Sequence, residues 1–402
     1  MGLRPSEACR ALLLAVAGMA SMIFAANAAN AANTGGVADA LPPPLPAEHL
    51  EVAKLPPWSA HWAYLLDFSF ANETDARLYL YDGDAHRMLG QFEVGYYPAM
   101  AVSPDHKTTA VATTYWSRGG HGARTDVIEY DDNATMTARG ELVLAPKRAQ
   151  SAAVSNFGLS YSADQRFLYL ANLSPAASFS IIDVTKNAIV GDIDTDGCVQ
   201  VIPSGKRRVS SLCENGRLLT ITHDDSGAET ARSVSQPFFN IDRDPIFVQS
   251  APTPTGVVHI SFLGDVYAID LTGAQPRFAP PWPTVTPKER GHWRPGGQQV
   301  VAYHAGTGRL YLPMHHGGEG SHKEGGTEIW VFDANTHQRL ARWPVDAAKY
   351  GAAFAVLATR DDKPLLFAAT EKSALLVIDA MTGQLRHVEP KMGQSLWAML
   401  NP

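Results

Sequence analysis

Charged residues are scarce. They make up 18% of the 402 residues, below the usual quarter, and the net charge of −7 comes without any long basic stripe, so nothing favours a nucleic-acid partner. Cysteine is scarcer still, at three residues: Cys9, Cys198 and Cys213. No C-x-x-C-H run exists, which excludes covalent c-type haem, and no G-x-S-x-G elbow offers a serine nucleophile. The GGHGA and GHGAR runs near residue 120 lack the strand-to-helix setting that a phosphate-binding loop requires. Helical periodicity is also missing; the chain is filled instead with short apolar runs and turn residues.

The one long apolar run is N-terminal. Arg4 and Arg10 precede Ala11–Phe24, an apolar stretch of 14 residues, and small-residue cleavage sites follow at Ala26-Asn27-Ala28 and Ala29-Asn30-Ala31. This pattern is expected to be a secretory signal over residues 1–33, too short for a membrane span and without a second apolar segment behind it. Cys9 precedes the run, so it is not placed as a lipid-anchor cysteine. In an exported protein Cys198 and Cys213 remain as an even pair in an oxidising compartment. They flank VQVIPSGKRRVSSL, which reads as strand, Pro-Ser-Gly turn and strand. A hairpin sets such positions opposite each other, so a disulfide is expected, with two free buried thiols as the alternative.

What is abundant is glycine, at 33 residues, and proline, at 27. Seven times a short apolar strand runs into an acidic residue and polar turn positions: Asp82, Asp131, Asp183, Asp224, Asp270, Asp333 and Asp379. The first and last lie 297 residues apart over six intervals, a unit of about 50 residues, the size of a propeller blade. Turn-strand segments at 102–113, 161–172 and 358–369 recur between them. The expected fold is therefore all-β, a seven-bladed β-propeller with four-stranded antiparallel blades over 58–402, preceded by an extended arm over 34–57. The long interval between Asp270 and Asp333 leaves six or eight blades open. The final repeat, from Ser373, has room for three strands, and HWAYLLDFSF (61–70) is expected to supply the missing one.

Two features invite a functional reading. HHGGEGSHKEGG (315–326) carries His315, His316 and His322 with Glu319 and Glu324, ligands suited to a divalent metal. Its spacing matches no zinc framework, and adjacent histidines on an extended chain point to opposite sides, so a loose polar loop is the plainer expectation and no metal site is assigned. The aromatic stretches WAYLLDFSF, with Trp62, Tyr64, Phe68 and Phe70, and GHWRPGGQQVVAYH, with Trp293, Arg294, Tyr303 and His304, read either as core or as an interface. No catalytic residue is assigned in this chain.

Several segments resemble the heavy chain of the periplasmic quinoprotein amine dehydrogenases. They are 290–314 (RGHWRPGGQQVVAYHAGTGRLYLPM), 197–218 (GCVQVIPSGKRRVSSLCENGRL) and 160–184 (SYSADQRFLYLANLSPAASFSIIDV), joined by 114–132 and 328–343, so the resemblance runs through nearly the whole mature chain. The histidine loop and the Phe-rich strand lean toward the aromatic amine (aralkylamine) branch, with the methylamine dehydrogenase heavy chain as a close relative. The resemblance implies a periplasmic α₂β₂ heterotetramer. In it a small disulfide-rich light subunit carries tryptophan tryptophylquinone, oxidises a primary amine to aldehyde and ammonia, and passes electrons to a type I copper protein of the azurin or amicyanin kind. It implies, too, that the family's cysteine pair falls on Cys198 and Cys213. A heavy-chain phenylalanine at the light-chain active-site mouth falls on Phe70, with Phe68 as the alternative. The competing expectations are an exported propeller that binds a ligand or protein, and a propeller enzyme with its own metal at His315, His316 and His322.

Overall fold

Strands that are rich in apolar residues and buried at every position form the middle of several sheets. Trp62–Asp67, Phe167–Asn172, Ser178–Asp183 and Leu365–Thr370 are buried along their whole length, as strands covered on both faces must be. Polar strands lie outermost, for example Thr137–Val143, Glu229–Val234 and Arg339–Pro344. Their charged side chains protect an edge that could otherwise pair with another chain. The computed structural model describes residues 54–145 and 155–401, so the expected signal and most of the expected arm lie outside the described residues.

The strands form six antiparallel sheets. Three have four strands, and two add a short fifth beside four. The seven-stranded sheet runs in the order Leu396–Leu400, Trp62–Asp67, Ala76–Asp82, Arg87–Val102, Thr108–Arg118, His121–Asp132, Thr137–Val143. Its central strand is shared. Arg87–Gly95 pairs with Ala76–Asp82, and Tyr96–Val102 pairs with the next strand, so the sheet consists of two four-strand sets bent at Tyr96 and Tyr97. Hydrophobic clusters join each set to the next: Leu78 and Phe92 meet Met100 and Val111, Ile128 meets Leu159 and Leu168, and Phe167 meets Val201 and Val209. Further clusters continue the series, and the last packs Leu365 and Phe367 of the final set against Leu65 and Tyr79 of the first. Among the described residues the only α-helical element is one turn, Ala347–Tyr350, and no helix is long and apolar enough to cross a membrane.

The turn chemistry repeats as the sequence pattern requires, with one shift. Each third strand ends in or just before an aspartate whose Oδ1 accepts backbone N–H groups of the following turn: Asp82 from Asp84 and Ala85, Asp183 from Thr185 and Lys186, Asp224 from Ser226 and Ala228, Asp333 from Asn335 and Thr336, Asp379 from Met381 and Thr382. In the second set this role belongs to Asp132, not the expected Asp131. Side chains alternate along a strand, so the neighbouring acid points inward, and burial pushes the Asp131 carboxyl up to about 7 with help from Glu129. An arginine seven residues on bridges back to the turn aspartate three times, as Asp132–Arg139, Asp270–Arg277 and Asp379–Arg386.

The closing strand also differs from expectation. The final set, Ala353–Glu389, is complete by itself, and it is Leu396–Leu400 that pairs with Trp62–Asp67 to complete the first set. The lender and borrower are reversed because the repeat phase begins at the innermost strand rather than at Ser373. Asn401 fixes the end of this seam by donating to the carbonyls of Ala60 and Trp62. On the final set, His61 bonds Asp361 at 3.0 Å and the Lys363 carbonyl at 3.1 Å, while its other ring nitrogen bonds Asp84 at 2.8 Å. Burial alone would lower the His61 pKa, but hydrogen bonding to Asp84 and the charge of Asp361 outweigh it, and the net shift is upward.

Cys198 and Cys213 are directly opposite in the pairing of Cys198–Gly205 with Arg208–Cys213, and they form a disulfide. The bond closes a separation of 15 residues, which stabilises by about 3 kcal/mol in the chain-entropy view. Peptide mapping without reductant is expected to recover one linked pair and no alkylatable thiol from exported protein, and Cys198→Ser/Cys213→Ser to lower the unfolding free energy by about that amount. His61 gives a pH signature. Its contribution is fully present below the unfolded pKa of about 6.5 and is lost as pH rises through the elevated folded value. The stability difference between wild type and His61→Gln should therefore shrink as pH rises above about 6.5 in urea titrations; a difference that stays flat contradicts the clamp.

Candidate functional site

The seam that unites the first and last strands also builds an exposed aromatic feature. Asp67, at the end of Trp62–Asp67, is buried, and its carboxylate accepts the backbone N–H groups of Gln394 at 2.9 Å and Ser395 at 2.8 Å and the Tyr79 hydroxyl at 3.0 Å. Gly393 beside it has φ +65°, and a Cβ there would fall 2.2 Å from Asp67 Oδ2, so only glycine lets the two segments approach this closely. Burial and the charge of Asp67 push the Tyr79 phenol up to about 12, which keeps it a donor. The next residue, Phe68, continues the seam through its N–H to the Ser395 carbonyl at 3.0 Å.

A tight turn then throws Phe70 outward. Asn72 N–H bonds the Ser69 carbonyl at 3.1 Å, and the Ser69 hydroxyl donates to Asn72 Oδ1 at 2.5 Å. Phe70 is 69% exposed, whereas Phe68 is 1% exposed. Beneath Phe70 lie Phe68, Trp397 and Tyr97, with ring centroids at 6.0, 5.8 and 6.4 Å. Trp397 continues to Phe354 at 5.8 Å, and Tyr97 continues through Tyr96 at 4.6 Å to Trp116 at 5.0 Å from Tyr96. The site is therefore an exposed phenylalanine on a part-buried aromatic base, which can present an apolar wall and ring edges to a ligand or partner. Phe68, the alternative to Phe70, is part of that base and not of the surface.

The remaining aromatic residues singled out from the sequence pack inside. Trp62 and Tyr64 are buried, and Trp293 lies between Trp330, 5.0 Å away, and the Arg342 guanidinium, 4.5 Å from its ring. Arg294 bonds the Trp293 carbonyl at 3.0 Å, Tyr303 is part-buried against the cluster around Leu310, and His304 is buried between Thr307 and the Asp361 carbonyl. What sequence reasoning missed is the base itself. Tyr97 lies more than 250 residues before Phe354 and Trp397, and the pairing of the last strand with the first brings Tyr97 and Trp397 together beneath Phe70.

The histidine loop is not the loose segment expected. His315 is buried and bonds Ser321 Oγ at 2.9 Å, His316 packs on Trp293 at 4.0 Å, and His322 stacks on Phe262 at 4.1 Å. These three imidazoles have separate surroundings, and no group of three or more His, Cys, Asp or Glu that could hold a metal occurs among the described residues. The loop is tied down where Gly326 pairs with Ala353, Gly325 N–H meets Glu371 at 2.7 Å, and Gly297 N–H meets the His322 carbonyl at 3.1 Å. Its glycines serve close packing: a Cβ on Gly326 would lie 2.5 Å from the Met314 nitrogen.

Comparison with known proteins bears on what this arrangement serves. The family model for the methylamine dehydrogenase heavy chain matches residues 59–398. The chain belongs to the methylamine dehydrogenase heavy chain family. Relatives include the heavy chain of Methylophilus methylotrophus, 25% identical over 379 residues and covering 89% of both chains. That of Methylobacillus flagellatus is 26% identical over 332 residues, covering 82% of this chain and 81% of the relative. Two solved structures share the fold alone. A putative 6-phosphogluconolactonase from Bacteroides uniformis has TM-score 0.58 and 13% identity, covering 84% of this chain and 98% of that one. The Kuenenia stuttgartiensis hydrazine synthase has TM-score 0.52 and 15% identity, covering 77% and 90%.

In this family member the two phenylalanines should respond oppositely to truncation. Phe70→Ala should leave the unfolding free energy within about 0.5 kcal/mol of wild type, as for an exposed residue. Phe68→Ala should cost about 3–5 kcal/mol. Urea denaturation of the pair checks this, and comparable losses would contradict the assignment of surface and base.

Proposed function

We propose that this chain is the heavy, scaffold subunit of a periplasmic amine dehydrogenase and forms a seven-bladed propeller. Hydrophobic clusters at seven successive junctions between sets support that blade count, because each set packs on the next and the last packs on the first. The reactive group, tryptophan tryptophylquinone, belongs to the small light subunit of an α₂β₂ assembly, and when bound there it oxidises a primary amine to aldehyde and ammonia. Electrons leave to a type I copper protein. Phe70 and the aromatic base beneath it form a crest that suits a position beside such a group, because it is aromatic and presents an apolar wall.

The observation that carries this reading is Phe70, exposed on an aromatic base in a chain of this family. Phe70 narrows the substrate route at the light-subunit site, and its ring edge favours an arylalkyl amine over methylamine. An aromatic pair contributes about 0.5–1.5 kcal/mol beyond its area. Primary aralkylamines, such as phenethylamine and tryptamine, are therefore the proposed substrates.

The mature chain alone should give no amine-dependent reduction of an artificial electron acceptor, whereas the chain co-produced with its light subunit should. Turnover by the isolated chain overturns the scaffold reading. In the assembled enzyme, Phe70→Ala should shift the ratio of kcat/KM for phenethylamine against methylamine by about 1–3 kcal/mol, with the assembly intact on gel filtration. An unchanged ratio removes Phe70 from the substrate route.

A further inference from the structure

The innermost strands enclose a cavity of about 590 Å³, lined by residues from the sheet sets around it. That is within the range of about 300–1,000 Å³ typical of small-molecule sites. Its wall is mainly apolar, including Val102, Val301, Val356, Tyr161 and Tyr303. Among the described residues no aspartate or glutamate lines it, and the one charged lining residue is Arg360. Arg360 as a residue retains solvent exposure, yet its surroundings desolvate the guanidinium enough to lower its pKa. It makes no ion pair among the described residues, and the adjacent Asp361 carboxylate is turned to His61, the Thr359 hydroxyl and the Lys363 N–H. A guanidinium so held, without an acid, is a fork with its donors open.

Two further lining residues carry unanswered polarity. Ser250 is 2% exposed and its Oγ is buried with no hydrogen-bond partner, as is Oδ1 of Asn156. Both residues are anchored through other atoms, since Asn156 Nδ2 donates to the Ser250 carbonyl and Asn156 N–H donates to Gln249 Oε1 at 2.9 Å. Gln299, by contrast, is fully used, bridging Val356 and Met399. Buried polar atoms left unpaired are rare and call for a partner.

We propose that this cavity is a binding site for a small aryl carboxylate bearing a hydrogen-bond donor at its far end. The carboxylate meets the Arg360 guanidinium, and the aromatic body lies along the valine and tyrosine wall. The distal hydroxyl bonds Ser250 Oγ and Asn156 Oδ1, directly or through one water. Neither the amine chemistry nor the crest around Phe70 is needed for it, so the two readings stand or fall separately.

Isothermal titration of the purified full-length exported protein with 4-hydroxyphenylacetate tests the site. Saturable binding at one site per chain is expected, with 4-hydroxyphenylacetamide, which lacks the charge, and sodium sulfate, which lacks the apolar body, at least tenfold weaker. Arg360→Gln should weaken binding at least tenfold, and Arg360→Lys, which keeps the charge without the fork, should fall between. Ser250→Ala should weaken 4-hydroxyphenylacetate severalfold and leave phenylacetate unchanged. No saturable binding, sulfate binding equally well, or Arg360→Gln with unchanged melting temperature and unchanged affinity would each overturn the proposal.

Discussion

The pairing of Leu396–Leu400 with Trp62–Asp67 is the constraint on which the rest of the structure depends. Without it the first sheet set lacks its innermost strand and exposes a row of unpaired backbone groups on an apolar edge. Hydrogen bonds of good geometry reinforce it: the Asp67 carboxylate takes the N–H groups of Gln394 and Ser395, Gln299 holds both the carbonyl and the N–H of Met399, and Asn401 holds Ala60 and Trp62. These partners are more than 90 residues apart in sequence. The contact order is accordingly high, and closing the seam carries a loop-closure cost that local pairings do not.

Function inherits from this seam. The residue after Asp67 is a member of the aromatic base, and Phe70 follows two positions later, so the strand pairing that completes the fold also fixes where the crest stands. Trp397, from the last strand, supports Phe70 directly. An exposed ring on a rigid base is pre-organised, and a partner that covers it has little side-chain freedom to freeze. A loop of the same sequence on an unclosed sheet would not offer that.

Much of the fold was legible because the repeat unit is written in chemistry that a single sequence displays. Aspartates that cap turns, serine-led turns ahead of second strands, and apolar strands of five to seven residues all recur. The hairpin that sets Cys198 opposite Cys213 is local and readable for the same reason. The shift from Asp131 to Asp132 was not, since two adjacent acids at a strand end differ only in which face each side chain meets. Nor was the lender of the closing strand, because the phase of a cyclic repeat has no local marker. The crest was half legible: Phe70 stood out beside Phe68, but its exposure rests on a turn at Ser69–Asn72. Tyr97, Phe354 and Trp397 are ordinary aromatic positions until the sheets assemble. In the histidine loop, glycine richness suggested slackness, whereas the glycines permit close approach to Met314 and Ala353.

The central claim is that the end of the fold bearing Phe70 faces a light subunit. Hydrogen exchange followed by mass spectrometry, on the chain with and without its light subunit, tests it most directly. Residues 68–75 and 83–86 lie at opposite ends of the strand Ala76–Asp82, so they report the two ends of one sheet. Assembly is predicted to slow exchange in 68–75 and in 394–397 while leaving 83–86 unchanged. Protection confined to 83–86, or none at either end, would contradict the account.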